Sequence, residues 1–231
     1  MSQISPRLIQ AVIFDFDGVL LESAEIKTRA FAMLFASICP ERVPEIVAYH
    51  EANMGYSRYV KFRHIFERIL GQPLSLEAEQ VLGKRFSAIV IDELLKAPLV
   101  PGAKGFVETA CAAKRYALFV ASGTPEDELH TVAKAKGLWS NIVEWHGAPK
   151  TKPAIIRDVL ARYHLAKDQV VFVGDAISDQ RAAEETGLTF IGRVVTEEHQ
   201  LSACRYRIRD LSELHPVLQA LESVPNNGGS E

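Results

Sequence analysis

Val12-Ile13-Phe14-Asp15-Phe16-Asp17-Gly18-Val19-Leu20 is an apolar run that ends in two carboxylates two residues apart, followed at once by glycine. Residues i and i+2 of a strand share a face, so both acids are delivered together to the end of a buried strand. Two negative charges in such a place require a cation and a role to account for them. Gly18 admits a tight turn and a close backbone approach that a Cβ would obstruct. Asp-x-Asp-Gly alone also occurs in turns and calcium loops, so its weight depends on what accompanies it further along the chain.

Five more short apolar runs follow: 117–121, 142–145, 170–173, 188–191 and the weaker 206–208. The opening run and those at 117–121 and 170–173 are almost continuously apolar, as strands covered on both faces are. Helix-length patterns lie between them. One starts at Thr124-Pro125-Glu126-Asp127-Glu128, with a capping threonine, proline at the first helical position and acids in the first turn. Two others run over about 154–163 and 178–186, the second stopped by Gly187. Alternating strand and helix predicts an α/β fold, a mostly parallel sheet flanked by helices on both faces.

Residues 21–97 interrupt that alternation. Ile26, Ala30, Leu34 and Ile38 recur every four residues, beside Phe31 and Phe35, and predict an amphipathic helix. Tyr59–Leu70 and Glu77–Leu95 also read as helices, with Gly71-Gln72-Pro73 breaking between them. The expected organisation is an α/β core over 1–20 and 98–231, with an all-helical insertion over 21–97; Pro98 and Pro101-Gly102 mark the return to the sheet.

Three further polar features stand at or just after the ends of α/β elements, where open parallel sheets gather their sites. Ser122-Gly123-Thr124 offers a hydroxyl and free amides near a helix start, a cradle for phosphate oxygens. Lys152 opens a helix, and Gly174-Asp175-Ala176-Ile177-Ser178-Asp179 follows a buried strand. Each taken singly has an ordinary reading as a turn, a surface lysine or a first-turn acid. Together they assemble four carboxylates, which repel one another and call for a divalent cation; oxygen-only ligation points to magnesium.

Bulk properties set the limits. The chain has 231 residues, 48% of them hydrophobic and 24% charged, an ordinary globular balance. A net charge of −3 gives no reason to expect nucleic acid or an acidic membrane surface as partner. The basic patches at Lys84-Arg85 and 205–209 read as solvated surface. Cys39, Cys111 and Cys204 are far apart and suit a reducing compartment, and the seven histidines show no ligand spacing. With no apolar stretch of spanning length and no signal pattern, a cytoplasmic location is expected. The polar, glycine-rich tail at 225–231 is expected to fray.

With these motifs in order, the chain resembles the haloacid dehalogenase (HAD) superfamily, in the branch whose helical cap is inserted after the first strand and which contains phosphoglycolate phosphatases and β-phosphoglucomutases. The resemblance rests on Asp15-Phe16-Asp17-Gly18, Ser122-Gly123, Lys152, and Gly174-Asp175 with Asp179, and covers residues 10 to 192. It implies a Rossmann-like core and a magnesium-dependent phosphatase acting on a small phosphorylated metabolite through an aspartyl-phosphate. Alternatives are a phosphomutase and a non-catalytic binding protein on this fold, as monomer or homodimer. By the resemblance, Asp15 is the nucleophile and Asp17 the general acid–base. Magnesium is held by the Asp15 carboxylate, the Asp17 carbonyl and Asp175, supported by Asp179. Ser122 and Gly123 hold the phosphoryl oxygens, and Lys152 offsets the charge. Halide-removing relatives lack an acid at the place of Asp17, which favours phosphoryl transfer. Lys152-Pro153 reproduces the family's dipeptide, while Lys150 has the longer spacing to Asp175 of some relatives; Lys152 is preferred. Gly55-Tyr56-Ser57-Arg58 resembles the specificity loop of such caps, with Arg58 the candidate for a second anionic group of the substrate. Lys61, Arg63 and His64 are weaker candidates on the same segment.

Overall fold

The computed structural model describes residues 8–223. Its first part runs β1 (Ala11–Phe14), α1 (Ala24–Ala36), α2 (Val43–Ala52), α3 (Arg58–His64) and α4 (Leu76–Lys96). Then come α5 (Ala103–Ala112), β2 (Ala117–Pro125), α6 (Glu126–Ala135), β3 (Glu144–Ala148) and α7 (Lys152–Arg162). The last part is β4 (Val170–Gly174), α8 (Ile177–Thr186), β5 (Thr189–Arg193), β6 (Arg207–Ile208) and α9 (Leu214–Ser223).

All six strands lie in one parallel sheet of order β3-β2-β1-β4-β5-β6. β1 is therefore central and buried along its whole length, as its unbroken apolar run requires. Val12 and Phe14 face one core layer, Ala11 and Ile13 the other, where α7 and α8 pack. The chain builds outward to β3 and then crosses back past β1 to start β4, so a topological switch lies between β1 and β4. Register does the rest. Phe14 pairs with Val120 on one side and Val173 on the other, so the next residues of all three strands reach the same edge together.

The predicted helix start at Thr124 is corrected. β2 continues through Pro125 and α6 begins at Glu126, its first turn carrying the expected acids. Thr124 does not cap the helix because its hydroxyl is engaged by Asp17 and its N–H donates to Ser122 Oγ. The longer β2 draws β3 with it. Ala148 pairs with Pro125, and the strand expected at 142–145 lies at 144–148. α5 and α9 were not among the predicted elements. In α9, Leu214, Leu218 and Leu221 are buried at helical spacing; α5 buries mainly alanines and one valine, a weak signal.

Between β1 and α5 the regular elements are helical among the described residues, in agreement with expectation. α2 was not foreseen, since its buried face consists only of Ile46 and His50. The helix predicted over 59–70 divides into α3 and a π-helical turn at Ile65–Ile69. Aromatic rings fill this layer: Phe31 packs on Phe62 and Phe86, with centroids 5.8 and 4.9 Å apart. Of the three cysteines, Cys39 is buried, Cys204 half-buried and Cys111 exposed. No helix among the described residues is long and apolar enough to cross a membrane. The tail at 225–231 lies outside the described residues.

Candidate active site

Asp15 follows β1 directly, and its N–H donates to the Val173 carbonyl at 2.9 Å, extending the ladder by one residue. The side chain is 2% exposed, and its Oδ1 accepts the Phe16 N–H at 2.7 Å. Lys152 Nζ lies 2.8 Å from the other oxygen, Oδ2, and also contacts Asp179 Oδ1. Asp179 is fully buried near the start of α8, where its Oδ2 accepts the Ala176 N–H at 3.1 Å. Carboxylate oxygens of Asp15, Asp175 and Asp179 come within 4.8 Å of one another.

Gly18 has φ +72°, and a Cβ there would come 1.8 Å from Asp175 Oδ2. The turn after β1 thus lies directly against the metal-type carboxylate, so this position excludes any side chain. The all-oxygen donor set, the mutual approach of the three carboxylates and this close cradle fit a hard divalent cation such as magnesium. Electrostatics agree. Burial, reinforced by the charges of Asp179 and Asp17, pushes Asp15 up to about 7 despite the opposing Lys152. Burial and the charges of Asp15 and Asp179 likewise raise Asp175 well above the usual carboxylate range. Burial disfavours the Lys152 charge, but Asp15 and Asp179 outweigh it and keep the ammonium protonated.

Asp17 has the opposite environment. Its Oδ1 accepts from Ser23 Oγ at 2.6 Å, and its Oδ2 accepts from Thr124 Oγ1 at 2.6 Å and from Lys27 Nζ. Burial would raise it, yet the Lys27 charge and these three donors hold it at about 2. Its side chain stands apart from the cluster of Asp15, Asp175 and Asp179. Lys27 and Ser23 are not among the residues expected at the site, and Thr124, expected in the phosphate cradle, instead donates to Asp17. The one available signal was Lys27 itself: a cation in the first turn of a helix opposes the helix dipole and asks for a specific anion.

Ser122 is fully buried, and its Oγ accepts the Thr124 N–H at 3.1 Å. Lys150 is exposed and 3.8 Å from Asp158, so of the two lysines the structure brings Lys152 to Asp15. The loop before α3 is seated on the start of α8: Ser178 Oγ donates to the Met54 carbonyl at 2.8 Å. Gly55, at φ +79°, has room for no Cβ, which would fall 2.1 Å from Ser178 Oγ.

Two cavities meet at this loop, sharing Gly55, Tyr56 and Gly123. The inner one, about 50 Å³, is floored by Asp15, Asp17 and Asp175 and walled by Lys27, His50 and Lys61 among others. The outer one, about 550 Å³, is bordered by Ser122, Lys150 and Lys152. Arg58 also lines the inner cavity, but its guanidinium is committed. Nη2 donates to Glu128 Oε1 at 2.7 Å, Nη1 donates to Ser87 Oγ at 2.9 Å, and Phe86 lies beneath it at 4.4 Å. The residue straps α3 and α4 to α6. Of the weaker candidates, Arg63 pairs with Glu79 at 2.6 Å and His64 stacks on Tyr49, whereas Lys61 is buried at the inner cavity.

Comparison with known proteins places this geometry. A phosphoglycolate phosphatase of Pasteurella multocida (strain Pm70) is 26% identical over 186 residues, covering 78% of this chain and 83% of that protein. The structure of β-phosphoglucomutase from Clostridium difficile superimposes with a TM-score of 0.77 at 16% identity, over 93% of this chain and 97% of that one. CbbY from Rhodobacter sphaeroides, solved in complex with phosphate, gives a TM-score of 0.71 at 19% identity, over 92% and 100%. At these identities the two structures speak for the fold alone. The model of the haloacid dehalogenase-like hydrolases matches residues 9–187, a span that holds all four motif segments, and the chain belongs to that family.

Proposed function

We propose that the chain is a magnesium-dependent phosphatase that hydrolyses the phosphate monoester of a small metabolite through an aspartyl-phosphate on Asp15. The enzyme is a phosphoric monoester hydrolase, similar to phosphoglycolate phosphatase. One observation carries the reading: Asp15 and Asp175 just after β1 and β4, and Ser122 just past the part of β2 that pairs with β1, converge at one edge, with Lys152 2.8 Å from Asp15.

The Asp15 carboxylate attacks phosphorus while the bond from phosphorus to the ester oxygen breaks. The departing alkoxide takes a proton by way of Asp17. Asp17 is a carboxylate with the Lys27 ammonium against it, so a proton passed on through Asp17 is replenished from Lys27. Water then attacks the phosphorus of the acyl phosphate, its proton goes to Asp17, and phosphate leaves with the Asp15 carboxylate restored. The Ser122 hydroxyl and the neighbouring amides orient the phosphoryl oxygens, and Lys152 balances charge on the nucleophile. Asp15, Asp175, Asp179 and the Asp17 carbonyl are the groups to hold magnesium. When bound, the ion supplies neutralisation of the clustered carboxylates and the phosphoryl oxygens. Residues 21–97 act as a cap that excludes water and selects substrate.

The mutase alternative requires that the aspartyl-phosphate survive until a second hydroxyl accepts it. Steady release of phosphate from a panel of phosphorylated metabolites, without a bisphosphate activator, is the expected result. Transfer between hydroxyls with no net phosphate release would replace the phosphatase reading by the mutase one.

A further inference from the structure

The cations that face the inner cavity from the helical segment differ in their pairing. Lys27 is matched by Asp17 and Arg58 by Glu128, so neither brings an unbalanced charge. Lys61, on α3, is 3% exposed and has no carboxylate partner among the described residues. Its Nζ lies 2.9 Å from His50 Nδ1 and 3.5 Å from the His50 carbonyl oxygen, with the Phe31 ring 5.4 Å away. His50, on α2, is also 3% exposed, and its Nε2 has no hydrogen-bond partner among the described residues.

Burial and the charges of Lys27 and Lys152 push Lys61 down to about 7, as befits an ammonium without a counter-charge. In its charged form it only donates, so Lys61 then donates to Nδ1 and the ring proton of His50 resides on Nε2. A buried cation without a counter-charge and a buried N–H without an acceptor thus sit side by side on one cavity wall. Both are satisfied by the same thing, an anionic oxygen ligand.

We propose that Lys61 and His50 form the receptor for a carboxylate carried by the substrate, so that the enzyme acts on phosphate monoesters of small hydroxy acids. The assignment rests on the phosphatase reading above and names its substrate class. One unbalanced positive charge matches one carboxylate; a second phosphate brings two negative charges and would leave one unmatched. The rest of this wall includes Phe31, Phe86 and Met54. These give no partners to the row of hydroxyls on a hexose, and Tyr56, whose side chain carries the one neutral hydroxyl among the lining residues, cannot serve them all. Arg58, the residue expected from sequence to hold a second anion, has its charge matched by Glu128 and is held in place by Glu128 and Ser87.

The test uses 2-phosphoglycolate and ethyl phosphate, which differ only in a carboxylate set where the other has a methyl. Both are titrated calorimetrically, with magnesium, into the Asp15→Asn protein. The carboxylate ester is expected to bind at least 30-fold more tightly, and Lys61→Met in that background is expected to reduce the ratio below threefold. Equal binding of the two esters, or a preference that survives Lys61→Met, would overturn the proposal. So would tighter binding of ethylene glycol bisphosphate or glucose 6-phosphate. If Lys61→Met does not fold, His50→Leu against His50→Gln decides: glutamine keeps a donor and the preference, leucine loses it. Loss of thermal stability in these variants with the ratio unchanged marks a merely structural role and rejects the receptor. Turnover is measured separately on the wild-type protein. No phosphate from either ester rejects the phosphatase reading while the binding ratio still decides the receptor.

Discussion

The floor of the inner cavity and its wall are made by different means. The floor is the edge of the parallel sheet, where register places Asp15 beside the residues that follow the β1-paired parts of β2 and β4. Its charges are acidic and crowded, and they push one another up. The wall comes from α1 to α4, and its cations are brought in by side-chain packing over long stretches of chain. Lys27 reaches Asp17, and Arg58 reaches Glu128, seventy residues away in sequence. The two acids of the opening motif record the contrast directly. Asp15, among floor carboxylates, is held at about 7, while Asp17, gripped by the wall lysine, is held at about 2. The same residue type, two positions apart, has opposite electrostatics because it faces opposite regions.

The floor is expected to fail completely when its centre is removed. Asp15→Asn should lower phosphate release by roughly 10⁴-fold or more with the melting temperature kept near wild type, measured by phosphate assay and calorimetry. Lys152→Met leaves Asp15 and Asp179 buried without their cation. It should cost about 3–5 kcal/mol of stability in denaturant unfolding, with activity lost as well. Arg58→Ala breaks the strap to Glu128, and about 3 kcal/mol of destabilisation is expected from the uncompensated buried acid. Its kinetic effect should fall alike on p-nitrophenyl phosphate and on carboxylate esters; a KM increase confined to the latter would return the anion-binding role to Arg58.

Smaller effects read the charges themselves. On the proposed mechanism Asp15 attacks as a carboxylate, so with Asp15 pushed up to about 7 activity should rise with pH through that region at low magnesium. A cation favours the ionised form, so added magnesium should move the acid limb to lower pH. The stimulation is then steeper at pH 6 than at pH 8.5, and a limb that ignores magnesium contradicts the assigned cluster. Lys27→Met removes the charge that depresses Asp17, whose pKa then rises. Asp17 must then carry the alkoxide's proton itself, so at saturating magnesium kcat/KM should fall as pH rises through its new pKa, with turnover reduced about tenfold.

The floor was legible in the sequence because its information is local. An apolar run followed by Asp-x-Asp-Gly, a strand followed by Ser122-Gly123, and a strand followed by Gly174-Asp175 each declare a sheet edge within a few residues. Parallel pairing then brings them together. The helical layer was legible as helices but not as a site. Neither Lys27 nor His50 has a neighbour in sequence that reveals its partner. Arg58 was read from its loop context as an anion receptor, whereas Glu128, buried beside it, absorbs its charge. Thr124 was assigned to a helix cap by a correct local rule; the Asp17 carboxylate competed for its hydroxyl and won.

Rapid-quench mixing with a ³²P-labelled substrate reads the step on which the floor depends. Label should appear on the protein before free phosphate does, survive acid, be lost in alkali, and map to the peptide containing Asp15; Asp15→Asn should carry none. Phosphate released at the wild-type rate with no labelled protein, or label mapping to another residue, would contradict Asp15 as the nucleophile.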